Sequence, residues 1–395
     1  MKKRNELENN LRVHNNEAIS THFTNMMLII TNSCNLRCSY CYEKNHEYDP
    51  NKDMTLEIAK KSVDLFFEQI PEKENRTSIT FFGGEPLMAF DLMKEIIKYS
   101  YNHKTIGGYK GSGYNYVVNT NGTILTDEMF LLFSKLGHKI NIRISVDGYK
   151  DNHDVTRKTI LGNGSWDILK ENLMKYKILK EKYGVKVGLI NTINKSNCKD
   201  IYYNYSSLYE LTGMNIGYLF VHEDKLDEKD FEIIKEQVEK LHNYCIKRKM
   251  RFSICNVVSN KNEINVQNNA PICSAGVRSF TVNHKGKIYP CHRCYFNNMG
   301  SMYTMGDVYS GISRHKIQFM CDINNMNMLP EKCRQCDFII RRNCHICFTT
   351  NKKVYNDPYK IPIEYCMFQK ELYYMLREKE AQALKLNRYE EDVFE

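Results

Sequence analysis

Three cysteines, Cys34, Cys38 and Cys41, stand at C-x3-C-x2-C in the stretch Thr31-Asn32-Ser33-Cys34-Asn35-Leu36-Arg37-Cys38-Ser39-Tyr40-Cys41, directly after the apolar run Met26–Ile30. Three thiolates this close together can hold three irons of a [4Fe–4S] cube and leave the fourth iron without a protein ligand. An open metal position suits a small chelating molecule, by the logic that leaves a catalytic zinc one protein ligand short. The competing readings are a partial zinc site and three unrelated buried thiols. Structural zinc wants four ligands, and this spacing beside Tyr40, straight after a strand, favours the cluster. A second concentration of sulfur lies far along the chain, where nine of the fifteen cysteines fall between Cys273 and Cys366. No export signal is visible in the polar N-terminus, so this many cysteines point to metal rather than disulfides. Cys198, Cys245 and Cys255 stand apart and read as ordinary buried thiols.

The elements that must position these residues alternate. Strand-like runs over Met26–Thr31, Ser78–Phe82, Tyr114–Asn119, Ile140–Val146, Val185–Ile190 and Ile216–Val221 are separated by helical patterns near Thr55–Gln69, Leu87–Tyr101, Asp127–Leu136, Ser165–Lys182 and Lys199–Leu211. A sixth helix is predicted near Glu228–Arg248, where Phe231, Ile234, Val238 and Leu241 recur at helical spacing. Alternating βα units argue for a parallel sheet, and six are too few for the closed eight-stranded barrel. Open parallel sheets bind ligands beyond the carboxyl ends of their strands. There the second strand runs into Phe82-Gly83-Gly84-Glu85-Pro86, the third into Asn119-Thr120-Asn121-Gly122-Thr123, and the fourth into Ser145-Val146-Asp147-Gly148, followed by Arg157. Two glycines let backbone approach a ligand closely and Glu85 offers a carboxylate to a cation, although a plain strand-to-helix turn reads the same way. Asn121-Gly122 and Asp147-Gly148 can each be no more than turns. Ser145 can bond a hydroxyl, and Arg157 can grip a carboxylate with two parallel bonds. Leu219 on the sixth strand reads as a core leucine.

The cysteine loop resembles the hallmark of the radical S-adenosylmethionine (radical SAM) superfamily, C-x3-C-x-aromatic-C, met by Cys34, Cys38, Tyr40 and Cys41. The resemblance implies an α/β fold, an open (β/α)6 partial TIM-like barrel. It also implies a cluster whose free iron takes the amino and carboxylate groups of SAM, and reductive cleavage of SAM to methionine and a 5′-deoxyadenosyl radical. Gly83, Gly84 and Glu85 look like the motif that receives SAM's amino group, and Ser145 and Arg157 like the contacts to its ribose and carboxylate.

Around residues 271–370 the chain resembles the SPASM domain, a smaller cysteine-rich Fe–S extension of many peptide-modifying members. Cys273-x12-Gly286-x4-Cys291 fits its first block, and the intervening His284-Lys285-Gly286 reads as a β-hairpin. The second block departs: seven residues separate Cys336 from Cys344 where the pattern has five, and two separate Cys344 from Cys347 where it has three. By the resemblance, Cys333, Cys336, Cys344 and Cys366 would hold an outer [4Fe–4S] cluster. Cys273, Cys291 and Cys347 would hold an inner one, with Cys294 as fourth ligand or with an iron left open for substrate. A zinc ribbon is the competing reading of Cys333–Cys347. The expected organisation is an N-terminal extension (1–25), the barrel (26–250), a polar bridge (251–270), the auxiliary domain (271–370) and a C-terminal helix (371–395). The first 25 residues are too few for a separate peptide-recognition module.

The activity implied is hydrogen-atom abstraction from a residue of a ribosomally made peptide, with a thioether from cysteine as the leading product and an auxiliary cluster as electron acceptor. A sulfatase maturase forming formylglycine is the nearest alternative. Those enzymes carry an Asp just after the cysteine equivalent to Cys291, where this chain has His292, a candidate base. A non-catalytic Fe–S or zinc protein is the alternative of another class. The resemblance further implies an electron donor such as flavodoxin or ferredoxin. The net charge of +9 is spread through mixed-sign helices without a basic block, so no nucleic-acid partner is expected. With no apolar run of spanning length the expectation is a cytoplasmic chain that does not enter the membrane.

Overall fold

The structure, a computed structural model, describes residues 23–41, 53–70, 77–103, 114–220, 226–248, 250, 253–254, 257–258, 273–336, 347–360 and 362–392. Six parallel strands follow one another in chain order: β1 (Asn25–Thr31), β2 (Thr77–Gly83), β3 (Tyr114–Thr120), β4 (Ile140–Ser145), β5 (Lys186–Ile193) and β6 (Ile216–Phe220). Each lies beside its predecessor in parallel register, and each is followed by helix: α1 (Leu56–Gln69), α2 (Phe90–Tyr101), α3 (Asp127–Leu136), α4 (Lys150–Thr156) with α5 (Trp166–Tyr183), α6 (Ile201–Thr212) and α7 (Glu228–Lys247). Among the described residues the sheet does not close on itself. The expected α/β partial barrel is therefore the fold.

Period-two alternation decides which way each side chain looks. On β4, Ile140, Ile142 and Ile144 are fully buried beneath the helices, whereas Asn141, Arg143 and Ser145 face the barrel interior. The helices begin where short polar side chains can satisfy the first free amides: Thr55 Oγ1 accepts from Ile58 N, and Thr126 Oγ1 accepts from Met129 N. Their inner faces, such as Ala59, Val63 and Phe66 of α1, are completely covered and supply most of their stability.

Two findings differ from the sequence reading. Leu219 is not core. It is 47% exposed, because Tyr218 and Phe220 take the helix-facing positions of β6 and leave Leu219 on the open interior face. Second, the sheet does not stop at the barrel. β7 (Ser253–Ile254) and β8 (Val257–Val258) extend it beyond β6, and the bridge is otherwise outside the described residues. On the other edge β9 (Ser279–Val282) pairs in parallel with β1, and the predicted hairpin follows as β10 (Lys287–Tyr289), with β11 (Gly306–Asp307) and β12 (Gly311–Ile312) beyond it. The C-terminal residues fold as one long helix, Ile363–Asp392. Among the described residues no helix is long and apolar enough to cross a membrane.

Candidate active site

The cysteine loop leaves β1 and is stitched to two neighbours. On one side Gly84 N donates to Thr31 O at 3.0 Å and Glu85 N to Ser33 O at 2.8 Å. On the other, Arg37 N donates to Lys158 O at 2.7 Å and Ser39 N to Thr156 O at 2.9 Å. The glycines are required at this crossing. Gly83 has φ +139°, and a Cβ there would lie 1.9 Å from Thr31 O; at Gly84 it would lie 2.3 Å from Ser33 O.

Beneath the loop is a buried charge network. Asp147 and Arg157 are almost wholly buried, with Arg157 Nε 3.1 Å from Asp147 Oδ1. Tyr40 Oη donates to both Asp147 oxygens, at 2.8 and 2.7 Å, and accepts from Arg157 Nη2 at 2.5 Å. Thr156 Oγ1 donates to Asp147 Oδ2 at 2.5 Å, and Arg157 Nη1 points at Cys38 Sγ, 3.7 Å away. Thus the aromatic residue of the cysteine motif and Arg157 are brought together, and Asp147, readable from sequence as a turn, is the residue that joins them. A second layer follows: His153 Nε2 lies 3.0 Å from Ser165 Oγ, which donates to Arg157 O at 2.8 Å.

Glu85 is fully buried too. Its Oε1 accepts from Leu87 N (3.0 Å) and Thr120 Oγ1 (2.8 Å), its Oε2 from Asn121 N (2.7 Å). Asn121 in turn donates to Asn35 Oδ1 at 2.8 Å and reaches to 4.0 Å from Cys34 Sγ. The GGEP and TNG turns therefore act as one brace for the cysteine loop. Ser145 ends β4 on the interior face, half-buried.

Burial pushes Glu85 up from 4.5 to about 7, whereas burial and then the Arg157 charge push His153 down from 6.5 to about 4. The signs oppose. Glu85, raised in the fold, contributes stability that is complete below about 4.5 and lost as pH rises through about 7. His153, depressed in the fold, contributes stability that is complete above 6.5 and lost as pH falls towards about 4. Glu85→Gln should remove the first slope and make stability climb more steeply with pH between about 4.5 and 7 than in the wild type, while losing the Asn121 bond at a cost of about 1–3 kcal/mol. Urea midpoints across that range check it.

Ten of the described cysteines fall into three groups, with Cys198, Cys245 and Cys321 outside them. Burial pushes Cys34 up to about 12 and Cys38 upward as well, and Cys34 feels the charges of Cys38 and Cys41. Thiols in that state become thiolates only against a strong positive charge, which irons supply. Three soft donors with no carboxylate among them suit an iron–sulfur cube. In the second group burial, then the charges of Cys291 and Cys347, raise Cys273 to about 11. Cys294 Sγ lies 3.7 Å from Cys291 Sγ and also feels Cys347, so Cys273, Cys291, Cys294 and Cys347 are neighbours. In the third, burial and then Cys366 and Cys336 raise Cys333, and the nearby Cys336 sulfur raises Lys370. Cys344 lies outside the described residues. Among the described residues no three His, Cys, Asp or Glu gather tightly enough for a single ion; the thiolates of a cube sit on separate irons and stand wider apart.

His292 packs against Phe82, ring centroids 4.9 Å apart, and burial, then Arg293, push it down to about 3. Arg293 Nη1 donates to Thr350 Oγ1 at 3.1 Å. The C-terminal cysteine-rich segment also touches the cysteine loop directly, through Asn32 Nδ2 to Tyr295 Oη (2.8 Å) and His284 Nδ1 (3.2 Å).

Comparison with known proteins fits this geometry. The radical SAM superfamily profile matches residues 28–197, the segment holding the cysteine loop, Glu85, Asn121, Asp147 and Arg157. The serine-type anaerobic sulfatase-maturating enzyme of Bacteroides thetaiotaomicron is 25% identical over 356 residues, 78% of this chain and 79% of the relative. Three other curated relatives are matched over 54%, 51% and 44% of their own lengths, so the chain spans about half of each. Native anSMEcpe, solved with bound AdoMet and the Cp18Cys peptide, superposes with TM-score 0.70 at 17% identity, covering 93% of this chain and 99% of that one. SuiB of Streptococcus suis, solved with precursor peptide SuiA, superposes with TM-score 0.62 at 14% identity over 91% and 79%. At these identities the superpositions speak for the fold. The cysteine loop, the brace beneath it and the matching profile make this a chain that carries a radical SAM superfamily domain.

Proposed function

We propose that this protein is a peptide maturase that joins a cysteine sulfur of its substrate to a nearby carbon as a thioether. The observation that carries the reading is the gathering of seven C-terminal cysteines into two groups, Cys273/Cys291/Cys294/Cys347 and Cys333/Cys336/Cys366, beside a barrel whose cysteine loop is separately braced. The first group is the ligand set expected of an inner auxiliary [4Fe–4S] cluster, and the second is that of an outer one apart from Cys344, which lies outside the described residues. When bound, the loop cluster and SAM together supply a carbon radical strong enough to take a hydrogen atom from an unactivated C–H bond.

The chain's own residues have three tasks. Tyr40, Asp147 and Arg157 fix the cysteine loop that carries Cys34, Cys38 and Cys41. Glu85, through Thr120 and Asn121, holds the GGEP turn in the crossing where Gly84 backbone lies against the loop, and Ser145 offers a hydroxyl at the strand ends. The barrel interior, lined by Phe82, Asn119, Arg143 and Leu219, holds the substrate residue in place and shields it. Peptide complexes of two structural neighbours, anSMEcpe with Cp18Cys and SuiB with SuiA, support a peptide as substrate. Formylglycine formation is the second reading, favoured by the similarity to sulfatase-maturating enzymes and weakened by His292 standing where those enzymes have Asp. Anaerobic co-expression with short cysteine-containing peptides encoded beside the gene tests the proposal. A product lighter by two hydrogen atoms, with one fewer alkylatable cysteine, is expected; an unchanged peptide, or a sulfatase converted to the aldehyde, refutes it.

A further inference from the structure

Arg143 is a cation of the barrel interior that has no partner among the described residues. It sits on β4 two residues before Ser145, on the same inward face, and no hydrogen bond or ion pair joins it to another described residue, in contrast to Arg157 with Asp147. Water reaches the side chain, yet burial by its surroundings depresses its pKa. Its strand neighbours leave it room. Asn119 stands beside it on β3 and Gly188 on β5, and a Cβ added at Gly188 would meet nothing within 4 Å. Across the sheet, Phe82 of β2 carries His292 and Phe296 against its ring, at 4.9 and 6.3 Å. The interior thus has an aromatic wall on one side and an unpaired guanidinium with a neighbouring carboxamide on the other.

A guanidinium that is partly stripped of water and given no protein acceptor gains most when a ligand brings the anion, and its planar donors match a carboxylate. We infer that Arg143, with Asn119 beside it and the space opened by Gly188, receives a carboxylate of the substrate, placing an acidic residue or a free C-terminus next to the reacting position. The inference rests on the peptide reading for what carries the carboxylate, but not for the anion site itself.

Two measurements on the reconstituted holoenzyme separate these. First, phenylglyoxal labelling of Arg143, mapped by mass spectrometry, should be slowed by glutarate and not by glutaramide; equal labelling with both overturns the anion site whatever the substrate is. Second, an N-acetylated cysteine peptide is compared in three forms: glutamate with an amidated C-terminus, glutamine with an amidated C-terminus, and glutamine with a free C-terminal carboxylate. One acidic form should bind about tenfold tighter than the neutral one, and which one does so identifies the source of the carboxylate. Arg143→Gln should erase that preference, and so should Gly188→Asp, which fills the space with a competing carboxylate. A preference that survives Arg143→Gln overturns the inference. Glutarate protection without binding of any peptide form would uphold the site and count against the peptide reading. Loss of SAM binding in Arg143→Gln would reassign the guanidinium to the carboxylate of SAM and overturn the assignment to substrate.

Discussion

Asp147→Ala should lower unfolding stability by about 3–5 kcal/mol, because it leaves the Arg157 charge buried without its partner. The same change frees Tyr40 Oη and Thr156 Oγ1, both bonded to the lost carboxylate. Since the backbone of Thr156 and Lys158 holds the cysteine loop through Ser39 and Arg37, iron retention should fall along with stability. The double variant Asp147→Leu, Arg157→Met separates the two effects. Removing both charges should recover much of the stability, as replacing a whole buried pair often does, yet iron retention should stay low, because the bonds that orient Tyr40 and approach Cys38 are gone. Urea denaturation and iron content measure the two quantities. Equal recovery of both would mean that the network stabilises the fold without placing the loop.

Gly83→Ala is expected to be the most damaging single methyl group in the barrel. The position has φ +139°, a backbone conformation that alanine adopts poorly, and the new carbon would fall 1.9 Å from Thr31 O. That contact is backbone against backbone, so no rotamer change relieves it; β1 and β2 must separate where they deliver the cysteine loop and the GGEP turn. A loss of about 3 kcal/mol or more is expected, read as a lowered urea midpoint and poor soluble yield. Gly84→Ala shares the clash, at 2.3 Å from Ser33 O, without the φ penalty. It should therefore be the milder variant for folding while still displacing the residue next to Cys34. Comparing the two tells backbone strain from loop displacement.

The barrel was legible because its strands and helices carry clean periods. β1 to β6 and the helices at 56–69, 127–136 and 228–247 lie within a few residues of the ranges read from hydrophobic spacing. α4, Lys150–Thr156, was missed, since its polar run KDNHDVT has no apolar face to reveal it. The parallel pairing of β9 with β1 joins residues about 250 positions apart, and a local pattern cannot show which edge a hairpin will meet. Leu219 went astray because an open barrel interior leaves apolar side chains in water, which periodicity alone does not distinguish from core. At the site, the resemblance of the cysteine loop and the strand-end motifs to the superfamily pointed to Tyr40, Glu85 and Arg157. It did not reveal that Asp147 joins Tyr40 to Arg157, because a DG pair reads as a turn; the signal available was an acid ten residues ahead of Arg157 with no other partner in view. Cys294, which the resemblance offered as a fourth ligand, lies beside Cys291 in the fold, Sγ to Sγ 3.7 Å.

The most direct test is low-temperature EPR of the anaerobically reconstituted and reduced protein, with and without SAM, in the wild type and in a variant with Cys34, Cys38 and Cys41 all changed to Ala. The wild type should show a reduced four-iron signal that shifts when SAM is added. The triple variant should lose that SAM-responsive signal together with 5′-deoxyadenosine formation, while signals from the C-terminal cysteines persist. A wild-type spectrum indifferent to SAM, or a triple variant that still responds to it, would contradict the account.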